Sequence, residues 1–124
     1  MIRQAPHHLA VGQAAEDAAC RYLEYAGYVV VTRNFRNRQG ELDIVAVEDG
    51  VLAIIEVRYR SRNDFGGAAA SVTRAKRARL VRAAQGLLMR YPRLARLPAR
   101  FDVVEVDGEP EKLNCRLIRA AFSL

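Results

Sequence analysis

The chain has 124 residues, of which 51% are hydrophobic and 27% are charged, the balance of one globular domain and not of a disordered or coiled-coil protein. It has no apolar run of the roughly 18 to 20 residues needed to cross a bilayer, and its N-terminus lacks the apolar core of a signal peptide. We therefore expect one cytoplasmic domain over residues 1–124, with residues 1–8 as a flexible tail and no membrane partner. Two distant cysteines without zinc-site spacing predict free thiols.

The charge is strongly positive. The formal net charge is +6 and the isoelectric point is near 9.9, and arginine supplies 18 of the 20 cationic residues. Arginine pairs bidentately with phosphate, so this composition favours an anionic partner such as nucleic acid. A genome that prefers arginine codons would produce the same excess, so basicity alone leaves the partner open.

Two long helices and five strands are predicted. Apolar residues recur at three- and four-residue steps over residues 9–26, which end at Gly27, and over residues 73–91, which end before Pro92. Residues 61–70, with the pair Gly66-Gly67, predict a loop. The strand-like runs, rich in β-branched and aromatic residues, are 28–35, 41–48, 51–59, 100–107 and 113–118.

The resulting order α-β-β-β-α-β-β predicts an α/β fold, with a central mixed β-sheet flanked by the two long helices. Two of the strands are joined by Asp49-Gly50, a strong signal for a two-residue hairpin turn. In that register Leu42, Ile44 and Ala46 share one apolar face with Ala53, Ile55 and Val57. Helices are then expected on both faces of the sheet.

The same register brings two carboxylates together. Asp43 falls opposite Glu56, and Glu41 falls opposite Arg58. Directly opposed side chains are about 4.5 to 5.5 Å apart at Cβ, where like charges destabilise a sheet unless something neutralises them. A divalent cation would do so, but so would neighbouring arginines at a solvated strand end, and both interpretations stay open.

Metal-dependent hydrolysis of a phosphodiester requires hard oxygen ligands for Mg²⁺ or Mn²⁺. Asp43 and Glu56 fit this requirement, and the backbone carbonyl of Val57 could complete the protein's share. Glu16 lies beside the apolar stripe of the first helix and is a candidate third acid, although an ordinary boundary glutamate has the same position. Arg58 would orient water or the scissile phosphate.

Basic residues near these acids predict contacts to a nucleic-acid backbone. Lys76 and Arg77 lie in the first turn of the second helix, where the helix dipole attracts phosphate. Arg74, Arg79 and Arg82 predict a solvated basic face that could serve the same backbone. Further candidates for backbone contact are Arg36, Arg60 and Arg62. Asp102, between apolar neighbours in a strand, predicts a structural salt bridge with Arg100 or with the second helix.

Several segments together resemble the YraN family, and the resemblance covers nearly the whole chain. It implies a restriction-endonuclease-like fold with archaeal Holliday-junction resolvases among its relatives in architecture, and hence a metal-dependent nuclease core. By that resemblance Asp43 and Glu56 are metal ligands, supported by Glu16. The segments that carry it are GQAAEDAA at 12–19, GY at 27–28, RNFR at 33–36, GELDIV at 40–45, IIEVRYR at 54–60, FG at 65–66, VTRAKR at 72–77, RFDVV at 100–104 and AAF at 120–122.

One departure from the superfamily pattern concerns position 58, where Arg58 replaces the usual lysine. An arginine does not give up a proton near neutral pH, so it cannot act as a general base. The expected function is an Mg²⁺- or Mn²⁺-dependent endonuclease acting on DNA, including branched DNA. The alternatives are a nucleic-acid-binding module with impaired catalysis and a protein-interaction domain with a basic surface. The sequence leaves a homodimer open.

Overall fold

The elements follow one another in the predicted order of helix, three strands, helix and two strands. The computed structural model describes residues 7–60 and 72–122, with side chains from residue 12 onward. The predicted loop at 61–70, which includes Arg62, lies outside the described residues. The elements are α1 (His7–Tyr25), β1 (Val29–Asn37), β2 (Gly40–Glu48), β3 (Val51–Tyr59), α2 (Arg74–Arg90), a 3-10 turn (Leu94–Arg96), β4 (Ala99–Glu109) and β5 (Lys112–Phe122).

The strands form one five-stranded sheet in the order β1-β2-β3-β4-β5. Neighbouring strands are antiparallel except β3 and β4, which are parallel and joined through α2. Buried residues of α1 and α2 belong to separate apolar clusters that cover the two faces of the sheet. This arrangement confirms the predicted α/β, restriction-endonuclease-like architecture of a mixed sheet between two long helices.

The helix ends follow local chemistry. In α2, the Oγ1 atom of Thr73 accepts a hydrogen bond from the backbone N–H of Lys76 at 3.2 Å, which caps the helix N-terminus. After α1, Gly27 has φ = +101°, a conformation that glycine adopts without steric cost. Neither α1 nor α2 combines the length and the apolar composition of a membrane-spanning helix.

The N-terminal boundary of α1 differs from the prediction. The helix begins at His7, so His7 and His8, which were predicted to lie in a flexible tail, are helical. Residues 1–6 lie outside the described residues. The physical reason is that His7, His8 and Leu9 are all compatible with a helix, whereas Pro6 is the first residue in that direction that a helix interior would exclude.

The hairpin between β2 and β3 has the predicted register. Asp49 and Gly50 both have positive φ, +50° and +76°, as a type I′ turn requires. Pairing runs from Glu48↔Val51 back to Ile44↔Ile55. The register that was predicted from the turn is therefore confirmed along the ladder, but pairing ends one step before Asp43 and Glu56.

Side-chain alternation in β2 breaks at Asp43. Leu42 packs in the cluster under α2 together with Val45, whereas Ile44 lies in the cluster under α1. The prediction that Leu42 shares a face with Ile44 and Ala46 is therefore wrong. On the adjacent strand, Asn34 lies at the same level and has φ = +54°, a left-handed conformation that asparagine tolerates. Both strands thus change phase together, meaning that the alternation of side chains between the two faces is interrupted at the same level in each. The pairing of β1 with β2 is therefore preserved on either side of Asn34 and Asp43.

Candidate active site

Asp43 lies where the β2–β3 ladder ends, away from the hairpin turn. Its Oδ2 atom accepts a hydrogen bond from the backbone N–H of Val57 at 2.9 Å. The carboxylate thus satisfies a backbone donor that lies beyond the last paired residues. Asp43 is therefore hydrogen-bonded to the residue that follows Glu56 in the chain. It is not the directly paired partner of Glu56 that the sequence predicts. The predicted pair of Glu41 and Arg58 is likewise absent from the ladder.

The electrostatic environment of Asp43 disfavours its charged form. Burial, followed by the negative charge of Glu56, raises the pKa of Asp43 to about 7, and Glu16 contributes in the same direction. The hydrogen bond from Val57 opposes this shift only in part. Among the side chains of residues 12–60 and 72–122, no cationic group forms an ion pair with Asp43.

Glu56, in contrast, has cations beside it. Only 5% of the residue is exposed. The Nζ atom of Lys76 lies 2.6 Å from its Oε1 atom, and Nη1 of Arg58 lies 3.7 Å from the same oxygen. Lys76 reaches the sheet because the capped first turn of α2 begins above this strand end. The predicted phosphate-binding lysine therefore contacts a candidate metal ligand.

Glu16 extends from α1 toward the same region as Asp43. Its Oε1 atom accepts hydrogen bonds from Nη2 of Arg33 at 3.2 Å and from Nδ2 of Asn34 at 2.9 Å. Asn34 is the residue at which β1 changes phase opposite Asp43. The strand irregularity therefore helps to hold the glutamate of α1 near the aspartate of β2.

Two cavities meet at Asp43. The α2 cavity, of about 240 Å³, lies between the strand ends and α2, and Glu56 and Lys76 line it. The α1 cavity, of about 420 Å³, lies on the other side and is lined by Glu16. Asp43 and Glu41 line both cavities. The change of phase in β2 places Asp43 between the two faces of the sheet, within reach of both cavities.

The donor set fits one hard divalent cation. Asp43 and Glu56 supply carboxylate oxygens, and Mg²⁺ is commonly bound through one or two carboxylates with water in its other positions. Burial and the negative charge of Glu56 raise the pKa of Asp43, and a bound cation would offset both effects. Among the described residues no group of three or more His, Cys, Asp or Glu side chains is arranged as a metal centre. The fit therefore rests on two carboxylates and not on a protein cage.

Comparison with known proteins assigns the family. Residues 15–106 match the model described as "Uncharacterised protein family UPF0102", the YraN family. The chain belongs to this family. It is 51% identical over 113 residues to a UPF0102 protein of Xanthomonas campestris pv. campestris (strain B100), with 91% of each chain covered. It is 44% identical over 113 residues to a UPF0102 protein of Symbiobacterium thermophilum, with 90% of this chain and 95% of that protein covered.

The basic residues of this YraN family protein divide into those held by the fold and those that face the cavities. Arg60 forms an ion pair with Glu105. The guanidinium of Arg77 donates to the backbone carbonyl of Val72 at 3.0 Å and lies 5.1 Å from the ring centre of Phe122. Both contacts stabilise the fold, so a role of Arg60 and Arg77 in binding nucleic acid stays a prediction.

Two further basic residues are exposed. Arg36 is exposed, with its Nε atom 3.5 Å from Glu41. Arg79, for which the sequence predicts only a solvated basic face, lines the α2 cavity. The available sequence signal was its spacing, because residues three apart on a helix are neighbours and Arg79 follows Lys76 by three.

Proposed function

We propose that this protein binds nucleic acid and contains a metal-dependent endonuclease core that hydrolyses phosphodiesters in DNA, including branched DNA. The observation that supports this most directly is Asp43, a carboxylate beside Glu56 with no ion-paired cation in the described part of the chain. A perturbed carboxyl group at a cleft marks a candidate functional site. The proposed partner is nucleic acid in the cytoplasm. The positive net charge of the chain favours such an anionic partner.

In this proposal, Asp43 and Glu56 hold Mg²⁺ or Mn²⁺. When bound, the metal would stabilise the developing negative charge on the phosphate and lower the pKa of a water molecule. The N–H of Val57 keeps the Asp43 carboxylate in place, and the carbonyl of Val57 is a proposed further ligand. Glu16 approaches from α1 and accepts hydrogen bonds from Arg33 and Asn34. In this position it can orient water in the α1 cavity.

Arg58 favours a second candidate function, a nucleic-acid-binding module with impaired catalysis. Its guanidinium lies within 3.7 Å of Glu56, so it supplies charge at the site but cannot accept a proton near neutral pH. It can orient a phosphate or water electrostatically. Under this alternative, DNA binds while cleavage is slow or absent, and Arg58→Lys restores part of the cleavage.

The experiment that tests the proposal compares wild type with Asp43→Asn on labelled duplex, single-stranded and four-way-junction DNA, in EDTA, Mg²⁺ or Mn²⁺. Asp49→Asn is the matched control, because it makes the same substitution in the exposed hairpin turn, where asparagine before glycine is favourable. We expect metal-dependent cleavage by wild type and by Asp49→Asn, and none by Asp43→Asn.

Metal binding is measured separately by calorimetry with Mn²⁺. If Asp43→Asn binds Mn²⁺ and cleaves DNA as wild type does, the assignment of the metal to Asp43 is wrong. Binding of DNA by every variant with cleavage by none would favour the impaired module.

A further inference from the structure

The two walls of the α2 cavity differ in charge. The sheet wall contributes Asp43 and Glu56, and the helix wall contributes Lys76 and Arg79. Lys76 and Arg79 are three residues apart and lie on the same side of α2. The first turn of α2 contains no acidic residue that could neutralise them. The helix wall is therefore positive where the cavity opens beside the candidate active site.

Lys76 has donors that Glu56 does not use. An ammonium group has three N–H donors, and in the described part of the chain the Nζ atom contacts one acceptor, Oε1 of Glu56. The Lys76 side chain is 31% exposed, compared with 6% for the Glu56 side chain. An acceptor that enters the cavity can thus bind Lys76 without removing it from Glu56.

Arg79 is exposed and, among the side chains of residues 12–60 and 72–122, its guanidinium forms no ion pair or hydrogen bond. Arg77, two residues earlier, is instead held against Val72 and Phe122. Neighbouring arginines of one helix turn therefore have different environments. One of them stabilises the fold, and the other presents five N–H donors to the cavity.

We propose that the α2 cavity is a subsite for one backbone phosphate of nucleic acid, bound jointly by Lys76 and Arg79, with Lys76 shared between Glu56 and the phosphate. This inference rests on the proposed function, because it assumes that nucleic acid is the ligand. It also predicts how nucleic acid is oriented on the protein. The phosphate backbone enters from the α2 side of the sheet, and Glu16 lies on the opposite side. Charge-assisted contacts from lysine and arginine are the usual means of binding phosphate.

Lys76 could alternatively serve only as the counter-ion of Glu56. The variant Glu56→Gln separates these roles, because it removes the charge that Lys76 neutralises and retains a hydrogen-bonding side chain. If Lys76 binds phosphate, Glu56→Gln strengthens DNA binding and leaves the contact of Lys76 with DNA intact. The pair Glu56→Gln and Glu56→Gln/Lys76→Gln then measures this contact in a background without the counter-ion role.

The test is fluorescence anisotropy of a labelled DNA duplex in EDTA over a range of salt concentrations. Each phosphate contact contributes a slope of about 0.9 to the log–log plot of affinity against salt. We expect Lys76→Gln in the Glu56→Gln background, and Arg79→Gln in the wild-type background, each to reduce the slope by about 0.9 and the affinity by roughly fivefold. Arg90→Gln, the same change in the last turn of α2, is expected to alter neither.

An unchanged slope in the Glu56→Gln/Lys76→Gln protein, with folding verified by thermal unfolding, would overturn the phosphate subsite and leave Lys76 as a counter-ion. A loss of slope for Arg90→Gln as large as for Arg79→Gln would also overturn it, because it would indicate a diffuse basic surface. If the wild-type protein binds no DNA, the proposed function itself is wrong. The experiment contains no metal, so absence of cleavage does not affect its result.

Discussion

Two aspartates occupy equivalent positions at two interruptions of the sheet. Asp43 accepts the backbone N–H of Val57 where β2 and β3 stop pairing, and Asp102 accepts the backbone N–H of Ala120 at 2.9 Å where the register of β4 and β5 shifts. In both places a carboxylate replaces a missing ladder partner. The difference lies in the charges around them.

Asp102 is surrounded by donors and cations. It is fully buried, and it accepts hydrogen bonds from Nε of Arg100 and from the hydroxyl of Tyr28, each at 3.0 Å. Arg100 and Arg119 both bind Glu48 at 2.6 Å, and their hydrogen bonds lower the pKa of Glu48 to about 2, with Arg119 the larger contributor. The predicted salt bridge of Asp102 with Arg100 is confirmed.

Asp43 has the opposite surroundings, because burial and the charges of the carboxylates of Glu56 and Glu16 raise its pKa. A charged group whose neighbours neutralise it stabilises the fold, whereas a group left among like charges reduces stability until a ligand neutralises it. An ionisable group that is left among like charges is characteristic of functional sites. The comparison therefore separates a structural cluster around Asp102 from a candidate active site around Asp43.

The largest effect is expected when Asp102 is removed. Asp102→Ala would leave the Tyr28 hydroxyl, the Ala120 N–H and the Arg100 guanidinium without their buried acceptor, which costs about 3–5 kcal/mol of unfolding free energy. Urea unfolding at pH 7 measures it, with Asp107→Ala as the exposed control on the same strand. A loss no larger than that of the control would contradict the structural role of the cluster.

A smaller and pH-dependent effect is expected at Glu48. Its pKa is lower in the folded protein, so its contribution is present above pH 4.5 and disappears as the pH falls toward 2. Glu48→Gln should lower the free energy of unfolding by about 1–3 kcal/mol at pH 7, since Arg119 is half exposed and partly screened. The difference from wild type should shrink below pH 3, whereas the exposed control Glu109→Gln should show no such trend. A difference that is constant with pH would contradict the ion pairs.

The smallest effect is expected at Asp43, and it has the opposite sign. Its pKa is raised from 3.8 to about 7, so between these values the folded protein holds a proton that the unfolded chain has lost. Stability therefore decreases as the pH rises through this window. In EDTA, Asp43→Asn should be more stable than wild type by about 1–2 kcal/mol at pH 8 and equally stable at pH 4.

Adding Mg²⁺ at pH 8 should remove this advantage, because a ligand of the folded state stabilises only the protein that binds it. If Asp43→Asn is less stable than wild type in EDTA at pH 8, Asp43 belongs with Asp102 as a structural residue, and the distinction between the two clusters fails.

The sequence predicted the parts of this site that depend on local patterns. Asp49-Gly50 specified the hairpin register, and that register brought Asp43 and Glu56 to the same strand ends. The prediction failed at Leu42, because simple alternation does not anticipate the change of phase at Asp43 and Asn34. The sequence also predicted a phosphate contact for Lys76 but not its ion pair with Glu56. No local pattern indicates that the first turn of α2 lies above Glu56.

Element order, helix boundaries to within a few residues, the hairpin register and the approach of two acids at the same strand ends were determined by the sequence itself, because turn chemistry and hydrophobic periodicity act over short distances. The tertiary structure decided which charges are neutralised. Arg100 and Arg119 come to Glu48 from β4 and β5, and Lys76 comes to Glu56 from α2. Electrostatic neutralisation depends on distances between residues far apart in the chain, which only the packed fold sets.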